Sequence, residues 1–348
     1  IVQYLKITKM EQRYMSKLIY LPLEHIPSRY TVHMDRDITE YLEDSGKEFI
    51  KIYPDIPTPT SMKAGSFLDA EFTIRFKAAQ IEELARLYRE DVINSGDIIW
   101  SSDLWHPGLP ESVAYMNYFA KKDVKLRGFI HAGSFTDTDF VRDLERWAKN
   151  FEDNLFDICD RIYCGSEFIK NDIVKKRIVS PDKFVVTGLP LDEKDLDRYW
   201  ADTQEKEDIV IFSGRNVDEK QPWLFEELSQ RLKGQAEFIN TQQHNFSKDE
   251  YYDLLSRAKV VVSYALQENF GFGVNEAVYL GCAPVLPNRL VYPEFYSEEY
   301  LYNTFDESVE KVESILDDYE SWVPTKESCQ MGVLGQGNNF IMEKWFNE

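Results

Sequence analysis

Short apolar runs of strand length alternate along this chain with longer segments whose apolar residues recur every three or four positions. KLIYLPL (Lys17–Leu23), EFIKIY (Glu48–Tyr53), DIIWSSD (Asp97–Asp103), LRGFIHAGS (Leu126–Ser134), DRIYCGS (Asp160–Ser166) and KFVVTGLP (Lys183–Pro190) read as buried strands. DRDITEYLEDSG (Asp35–Gly46) opens on acidic residues and stops at glycine, as a helix does, and Phe67–Ile93 reads as one long amphipathic helix. Strands apolar on both faces, alternating with helices, predict a mainly parallel sheet covered on both sides.

The segment 193–207 breaks the rhythm. It is dense in charge and nearly free of aliphatic residues, and it reads as a connection between domains. The alternation then restarts with strands at IVIFSGR, AEFINTQ, KVVVSYAL and APVLP and helices between them. The expected fold is α/β, with two doubly wound Rossmann-like domains, 15–192 and 208–335, facing across a cleft. A short amphipathic segment, 336–348, is expected to pack back on the first domain. Residues 1–14 precede Met15, which reads as a natural start, and are expected to be an upstream extension outside the fold.

Composition adds bounds. In 348 residues, 43% are apolar and 29% charged, the balance of an ordinary water-soluble protein. No run approaches a membrane span, and no signal peptide is evident. Cys159, Cys164, Cys282 and Cys329 form no Cys-x-x-Cys pair, so reduced thiols in a cytoplasmic setting are expected. A net charge of −21 argues against non-specific coating of nucleic acid or anionic lipid. The only basic clusters, Lys121–Arg127 and Lys170–Arg177, read first as solvated helix ends.

The chemistry concentrates in SYALQENFGFGVNEAVYLGCAPVLP, Ser263–Pro287. Here a strand gives way to a helix. Glu268 falls in the connecting loop at the carboxyl edge of the sheet. Gly271 and Gly273 let a ligand approach the backbone, and the free amides of the helix start face it. Asn269, Phe270 and Phe272 share this turn. Glu276 lies about a turn and a half into the helix, where a carboxylate suits the adjacent hydroxyls of a sugar or ribose.

Glu-x7-Glu in ENFGFGVNE, followed by A-x-x-x-G-x-x-P-V, resembles the hallmark of retaining GT-B glycosyltransferases, family four in particular. VIFSGRNVDEK resembles that family's strand–Gly–Arg–x4–Lys segment, and the likeness runs from about Phe140 to Pro287. The resemblance implies that Arg215 and Lys220, after Gly214, hold the diphosphate of a nucleotide-sugar donor. It implies that Glu268 contacts the transferred sugar and Glu276 the nucleotide ribose. His131, at the end of GFIHAGS, matches a family histidine near the sugar, acting through its ring or its backbone carbonyl. Asp103, Trp105 and His106 in SSDLWHPG fall on the side that normally takes the acceptor. Many members carry a glycine pair in the first strand–helix turn. Here that turn is LEHIPSRYT, and Arg29 or Tyr30 stands in its place.

TDTD (Thr136–Asp139) mimics an Asp-x-Asp metal motif but reads as helix capping, so no metal and no cofactor beyond the donor substrate is expected. The first half of the chain also resembles bacteriophage-encoded glycosyltransferases, some of which decorate hydroxymethylated pyrimidines in DNA. That likeness makes modified DNA one candidate acceptor, with Trp105, Tyr30 and the basic clusters as contacts. A surface glycan or small metabolite is the other. A nucleotide-sugar-binding module without turnover is the rival from a different class.

Overall fold

The computed structural model describes residues 16–26, 29–57, 69–137, 139, 141–200, 205–325 and 337–347. Residues 1–14, Thr138, Phe140 and Cys329 lie outside them. The chain forms two compact units. Of the described residues, the first holds those up to Gly165, Ile169–Val186 and those from Met342 on, and the second holds Ser166–Phe168 and those between Thr187 and Ile341.

In chain order, the elements of the first half are β1 (Leu18–Leu21), α1 (Thr31–Asp44), β2 (Phe49–Lys51), α2 (Ala70–Arg89), β3 (Ile98–Ser101), α3 (Leu109–Ala120), β4 (Lys125–Ile130), α4 (Glu145–Ile158), β5 (Arg161–Cys164), α5 (Glu167–Lys176) and β6 (Phe184–Val186). Its strands run in parallel in the order β2-β1-β3-β4-β5-β6. The core is the aliphatic face that the alternation exposed: Ile19, Leu21, Ile99, Leu126, Ile130 and Ile162 are all nearly or fully buried. α2 adds Phe72, Phe76, Leu84 and Leu87, an i, i+4 and i+3 stripe, and Asp69 caps it by accepting from the Phe72 amide at 2.9 Å.

The second half contains α6 (Glu193–Leu196), β7 (Glu207–Phe212), α7 (Pro222–Arg231), β8 (Glu237–Asn240), α8 (Lys248–Arg257), β9 (Ala258–Val262), α9 (Phe272–Tyr279), β10 (Ala283–Pro287), α10 (Tyr292–Phe295), β11 (Leu301–Tyr302), α11 (Phe305–Asp317) and α12 (Gly337–Asn347). The sheet order is β11-β10-β9-β7-β8, again parallel. Val210, Phe212, Val260, Val262, Ala283 and Val285 form its core, closed by Val312 and Ile315 of α11.

Both orders have the same plan. The first strand pairs with the second on one side and with the third on the other, so the winding reverses between β1 and β3 and between β7 and β9. Ligands of such sheets bind beyond the strand carboxyl ends at that reversal.

Several expectations change in detail. α1 starts at Thr31 rather than at the acidic run, because Met34, Ile38 and Leu42 set its buried face. TDTD does not open a helix. A 3-10 turn at Arg142–Leu144 precedes α4, whose N-cap, Leu144, makes no side-chain bond. Asp139 instead accepts from the Val141 amide at 3.0 Å, and Asp137 pairs with Lys176 at 3.0 Å. Within 193–207, α6 buries Leu196 completely, and Lys248 reaches the buried Asp192. In the first unit, Trp345 of α12 is buried against Trp100 and Phe129, with ring centroids 5.1 and 5.6 Å away. Cys159, Cys164 and Cys282 are buried. No helix among the described residues is long and apolar enough to cross a membrane.

Candidate active site

The loops after β7 and β9 line a small, partly open recess in the second unit, at the reversal point of its sheet. Ser213, Gly214 and Lys220 come from the first loop, Glu268 and Gly271 from the second, and Gly273 from the first turn of α9. Lys220 is 8% exposed and ends a 3-10 turn, Asp218–Lys220. Its ammonium donates to Glu268 Oε2 at 3.0 Å and to the Gln267 carbonyl. Glu268 Oε1 accepts from the amides of Asn269 (3.1 Å), Phe270 (3.4 Å) and Gly271 (2.9 Å). Burial alone would raise this carboxyl; the Lys220 charge and the amides outweigh it and hold the group below its usual value. The recess therefore contains an ammonium and a run of aligned amides, the elements of an anion site, both engaged by Glu268.

The two glycines serve different needs. Gly271 sits at φ +80°, a conformation that favours glycine, and forms the N-cap of α9. At Gly273 a Cβ would lie 2.9 Å from Cβ and Oγ of Ser213, so its absence lets the start of α9 close onto the β7 loop. Phe270 is buried against Phe272 and Phe295. Asn269 accepts from Gln267 Nε2 at 2.7 Å.

Glu276 points toward α8 and accepts from the Tyr252 hydroxyl at 3.1 Å. Burial pushes its carboxyl up to about 7, against the lowering effect of that hydrogen bond and of the Lys248 charge. Arg215 differs from the expectation drawn for it. Its side chain is half exposed, it donates to Glu219 Oε1 at 2.6 Å, and it does not line the recess.

In the first unit the predicted residues gather at the carboxyl edge of β1, β3 and β4. His131 follows β4, and both of its ring nitrogens are engaged: Nε2 donates to the Ser102 carbonyl at 2.8 Å, and Nδ1 accepts from the Tyr30 hydroxyl at 3.3 Å. Burial, the largest influence, holds its pKa below the usual histidine value, so the ring is neutral. This leaves the ring no nitrogen for a sugar hydroxyl in this conformation. Asp103 accepts from the Trp105 amide at 3.0 Å and lies 3.4 Å from Lys77, which also donates to the Trp105 carbonyl at 2.7 Å. Trp105 is not an open platform: its Nε1 donates to the buried Glu152 at 2.9 Å, and its ring meets Trp147 and Phe151 edge-on. His106 is a core group, bonded to Gln80 at 3.1 Å and pushed down to about 3, chiefly by burial. Arg29 adjoins Tyr30 and offsets the carboxylate charges felt by its hydroxyl.

Five cations of the two basic clusters are paired with acids. Lys122 pairs with Asp91, Lys125 with Asp123, Arg127 with Asp160, Lys176 with Asp172 and Arg177 with Glu152. Among the described residues no group of three or more His, Cys, Asp or Glu is set to hold a metal ion.

Lys77, Ser213, Ser263 and Tyr292 escaped the sequence reading. Lys77 carried a signal, a lysine inside the buried stripe of α2 beside Phe76 and Gln80. Tyr292, bonded to Ser263 at 2.7 Å in the recess wall, carried none.

These two parallel sheets have a known counterpart. The lipopolysaccharide outer core galactosyltransferase WaaB superposes with a TM-score of 0.60 at 11% identity, over 95% of this chain and 98% of that one. The catalytic domain of starch synthase IV from Arabidopsis thaliana, bound to ADP and acarbose, gives 0.60 at 10% identity, over 88% and 93%. The fold is GT-B. By sequence, a tRNA-queuosine α-mannosyltransferase of Drosophila melanogaster is 35% identical over 91 residues, 25% of this chain. The match spans about a quarter (24%) of that relative's length. No family model matches the chain.

Proposed function

We propose that this protein is a retaining glycosyltransferase that moves a sugar from a nucleotide-diphosphate donor to a hydroxyl of a modified nucleoside in a nucleic acid. The observation that carries the reading is the recess at the β7–β9 reversal, with Lys220, Glu268 and the amides of Asn269–Gly271 around one point. A diphosphate that leaves a sugar gains negative charge, and a cation with preorganised amides stabilises that charge in the transition state. Lys220 takes this part directly. Arg215 joins it by exchanging Glu219 for a phosphate oxygen. Glu268 then turns to the sugar hydroxyls and Glu276 to the ribose. The bond from the anomeric carbon to phosphate breaks on the face where the bond to the acceptor oxygen forms, and the departing phosphate oxygen takes the acceptor proton. His131 contributes through its backbone carbonyl at the sugar. Arg29, Tyr30 and Asp103 belong to the acceptor side, and no metal enters the scheme.

The nucleoside acceptor is supported by the 91-residue match to a tRNA-queuosine mannosyltransferase; the resemblance of the first half of the chain to phage enzymes, drawn from its sequence alone, points the same way. One observation favours a second reading, transfer to a glycan or small metabolite: the net charge is −21 and five cations of the basic clusters are already paired with acids, which weakens attraction to a phosphate backbone.

Mass spectrometry of UDP- and GDP-sugars incubated with hydroxymethylcytosine DNA, queuosine tRNA and simple glycans tests both readings, with Glu268→Ala as control. A hexose or pentose added by the wild type and not by the variant is expected. Equal product from the variant removes Glu268 from the reaction. Product on glycans alone selects the second reading.

A further inference from the structure

The first sheet reverses between β1 and β3, just as the second does between β7 and β9, and the β1 loop carries an unexplained carboxylate at that point. Glu24 is only 2% exposed, and its Oε1 has no hydrogen-bond partner among the described residues. The backbone around it is well tied: the Thr31 hydroxyl donates to the Glu24 carbonyl at 2.7 Å, and β1 and β3 stay in register up to Leu21 and Ser101. A buried carboxylate oxygen left without a donor costs free energy, and no described residue donates to this one.

The surroundings give that cost a purpose. The Tyr30 hydroxyl is raised by burial and then by the charge of Asp103 and, more weakly, of Glu24, while Tyr30 itself lies 3.3 Å from His131. Glu24, Tyr30, Asp103 and His131 thus share one electrostatic neighbourhood, contributed by the loops after β1, β3 and β4. Asp103 already has its cation in Lys77. Glu24 differs in keeping an acceptor oxygen unspent at the sheet edge where ligands of this architecture bind.

We infer that Glu24 is an acceptor-binding residue, whose carboxylate receives an N–H or O–H donor of the molecule that is glycosylated. The inference rests on the glycosyltransferase reading above and adds to it a recognition residue in the first unit. A carboxylate is the natural partner of an exocyclic amino group such as N4 of cytosine, and it repels a carbonyl in the same position. The unsatisfied oxygen exchanges stability in the free protein for discrimination between acceptors.

The test uses Glu24→Gln and Glu24→Leu in the full chain. Thermal unfolding of the free protein, calorimetric binding of UDP and GDP, and transfer kinetics are measured together. Without ligand, Glu24→Leu is expected to raise Tm by about 2–4 °C, the shift that corresponds to removing roughly 1 kcal/mol of desolvation penalty in a domain of this size. Nucleotide Kd is expected to stay within twofold of wild type, and KM for hydroxymethylcytosine oligonucleotide to rise about tenfold in both variants. Loss confined to hydroxymethylcytosine, with hydroxymethyluracil DNA unaffected or improved, assigns an amino donor; equal loss on both assigns a hydroxyl. A fall in Tm, or an unchanged KM at unchanged nucleotide Kd, overturns the inference. If the wild type binds neither nucleotide, the glycosyltransferase reading itself fails, and the thermal measurement still judges Glu24.

Discussion

Lys220 Nζ stands 3.0 Å from Glu268 Oε2, and the second oxygen of the same carboxylate holds the amides of Asn269 and Gly271. One side chain therefore neutralises the cation and fills the amide cluster that an entering phosphate would use. Glu268→Ala is expected to bind free UDP or GDP about tenfold more tightly, the weight of one charge-assisted bond no longer displaced, while sugar transfer falls by at least 10²-fold. Lys220→Ala is expected to weaken the nucleotide and lower kcat by about 10²–10³-fold. Calorimetry and steady-state kinetics on the two variants check this; weaker nucleotide binding by Glu268→Ala would refute the competition.

The carboxyl of Glu276, raised to about 7 by burial, makes both stability and binding depend on pH. The folded protein holds this proton more tightly than the unfolded chain, whose carboxyl has its ordinary value near 4.5. Its contribution to stability is thus fully present below about pH 4.5 and is lost as pH rises to about 7, with no further change above. The ionised carboxylate is the stronger acceptor for ribose hydroxyls, so nucleotide affinity is expected to rise over the upper part of the same window. Glu276→Gln should flatten both profiles. Melting temperature and nucleotide Kd measured from pH 5 to 8 decide it, and an unchanged slope in the variant removes Glu276 as the titrating group.

Much of the architecture was legible because burial on both faces of a parallel strand leaves a continuous apolar run, as in β4, β7 and β9. The carboxyl ends of the strands were legible too, since Glu268 and Asp103 fall just after such runs; the strand order that makes them reversal points was not. Pairing of charges was not. Nothing in GRNVDEK says that Arg215 turns outward to Glu219 while Lys220 turns inward, a choice made by the 3-10 turn at Asp218–Lys220. Trp105 read as an acceptor contact because its partner, Glu152, is 47 positions away on α4. Glu24 gave no signal, because an unpaired buried oxygen is a property of three-dimensional surroundings. TDTD misled because a 3-10 turn, rather than a helix, follows it.

Close packing of α9 on the β7 loop gives a test of the donor side that involves no charge. A Cβ at Gly273 would sit 2.9 Å from Cβ and Oγ of Ser213, too near for either to remain. Gly273→Ala is expected to lower stability by about 1–3 kcal/mol, the usual range for overpacking, and to weaken nucleotide binding about tenfold by displacing the amides that start α9. Ser213→Gly removes the obstructing atoms, so the double variant should recover most of both losses. Urea unfolding and calorimetry on the four proteins form a double-mutant cycle. Additive losses would mean that the helix start is set by something other than this contact.

The last prediction concerns Arg177 and Glu152, a pair 1% and 0% exposed and 2.6 Å apart. Glu152 also accepts from the Ser134 amide (2.6 Å), the Ser134 hydroxyl (2.8 Å) and Trp105 Nε1 (2.9 Å). Arg177 returns a bond to that hydroxyl at 2.8 Å. With every polar atom of the carboxylate used, the pair anchors the loop after β4 and fixes Trp105. Removing one partner leaves the other charge buried and unmatched, so Arg177→Ala or Glu152→Ala is expected to cost about 3–5 kcal/mol. Replacing both, Arg177→Met with Glu152→Leu, removes both charges and should cost less than either single change, though it frees Ser134 and Trp105 Nε1. Chemical denaturation measures the three values. A double variant as unstable as the sum of the singles would show that the two side chains act separately, and that Glu152 anchors the loop without the arginine.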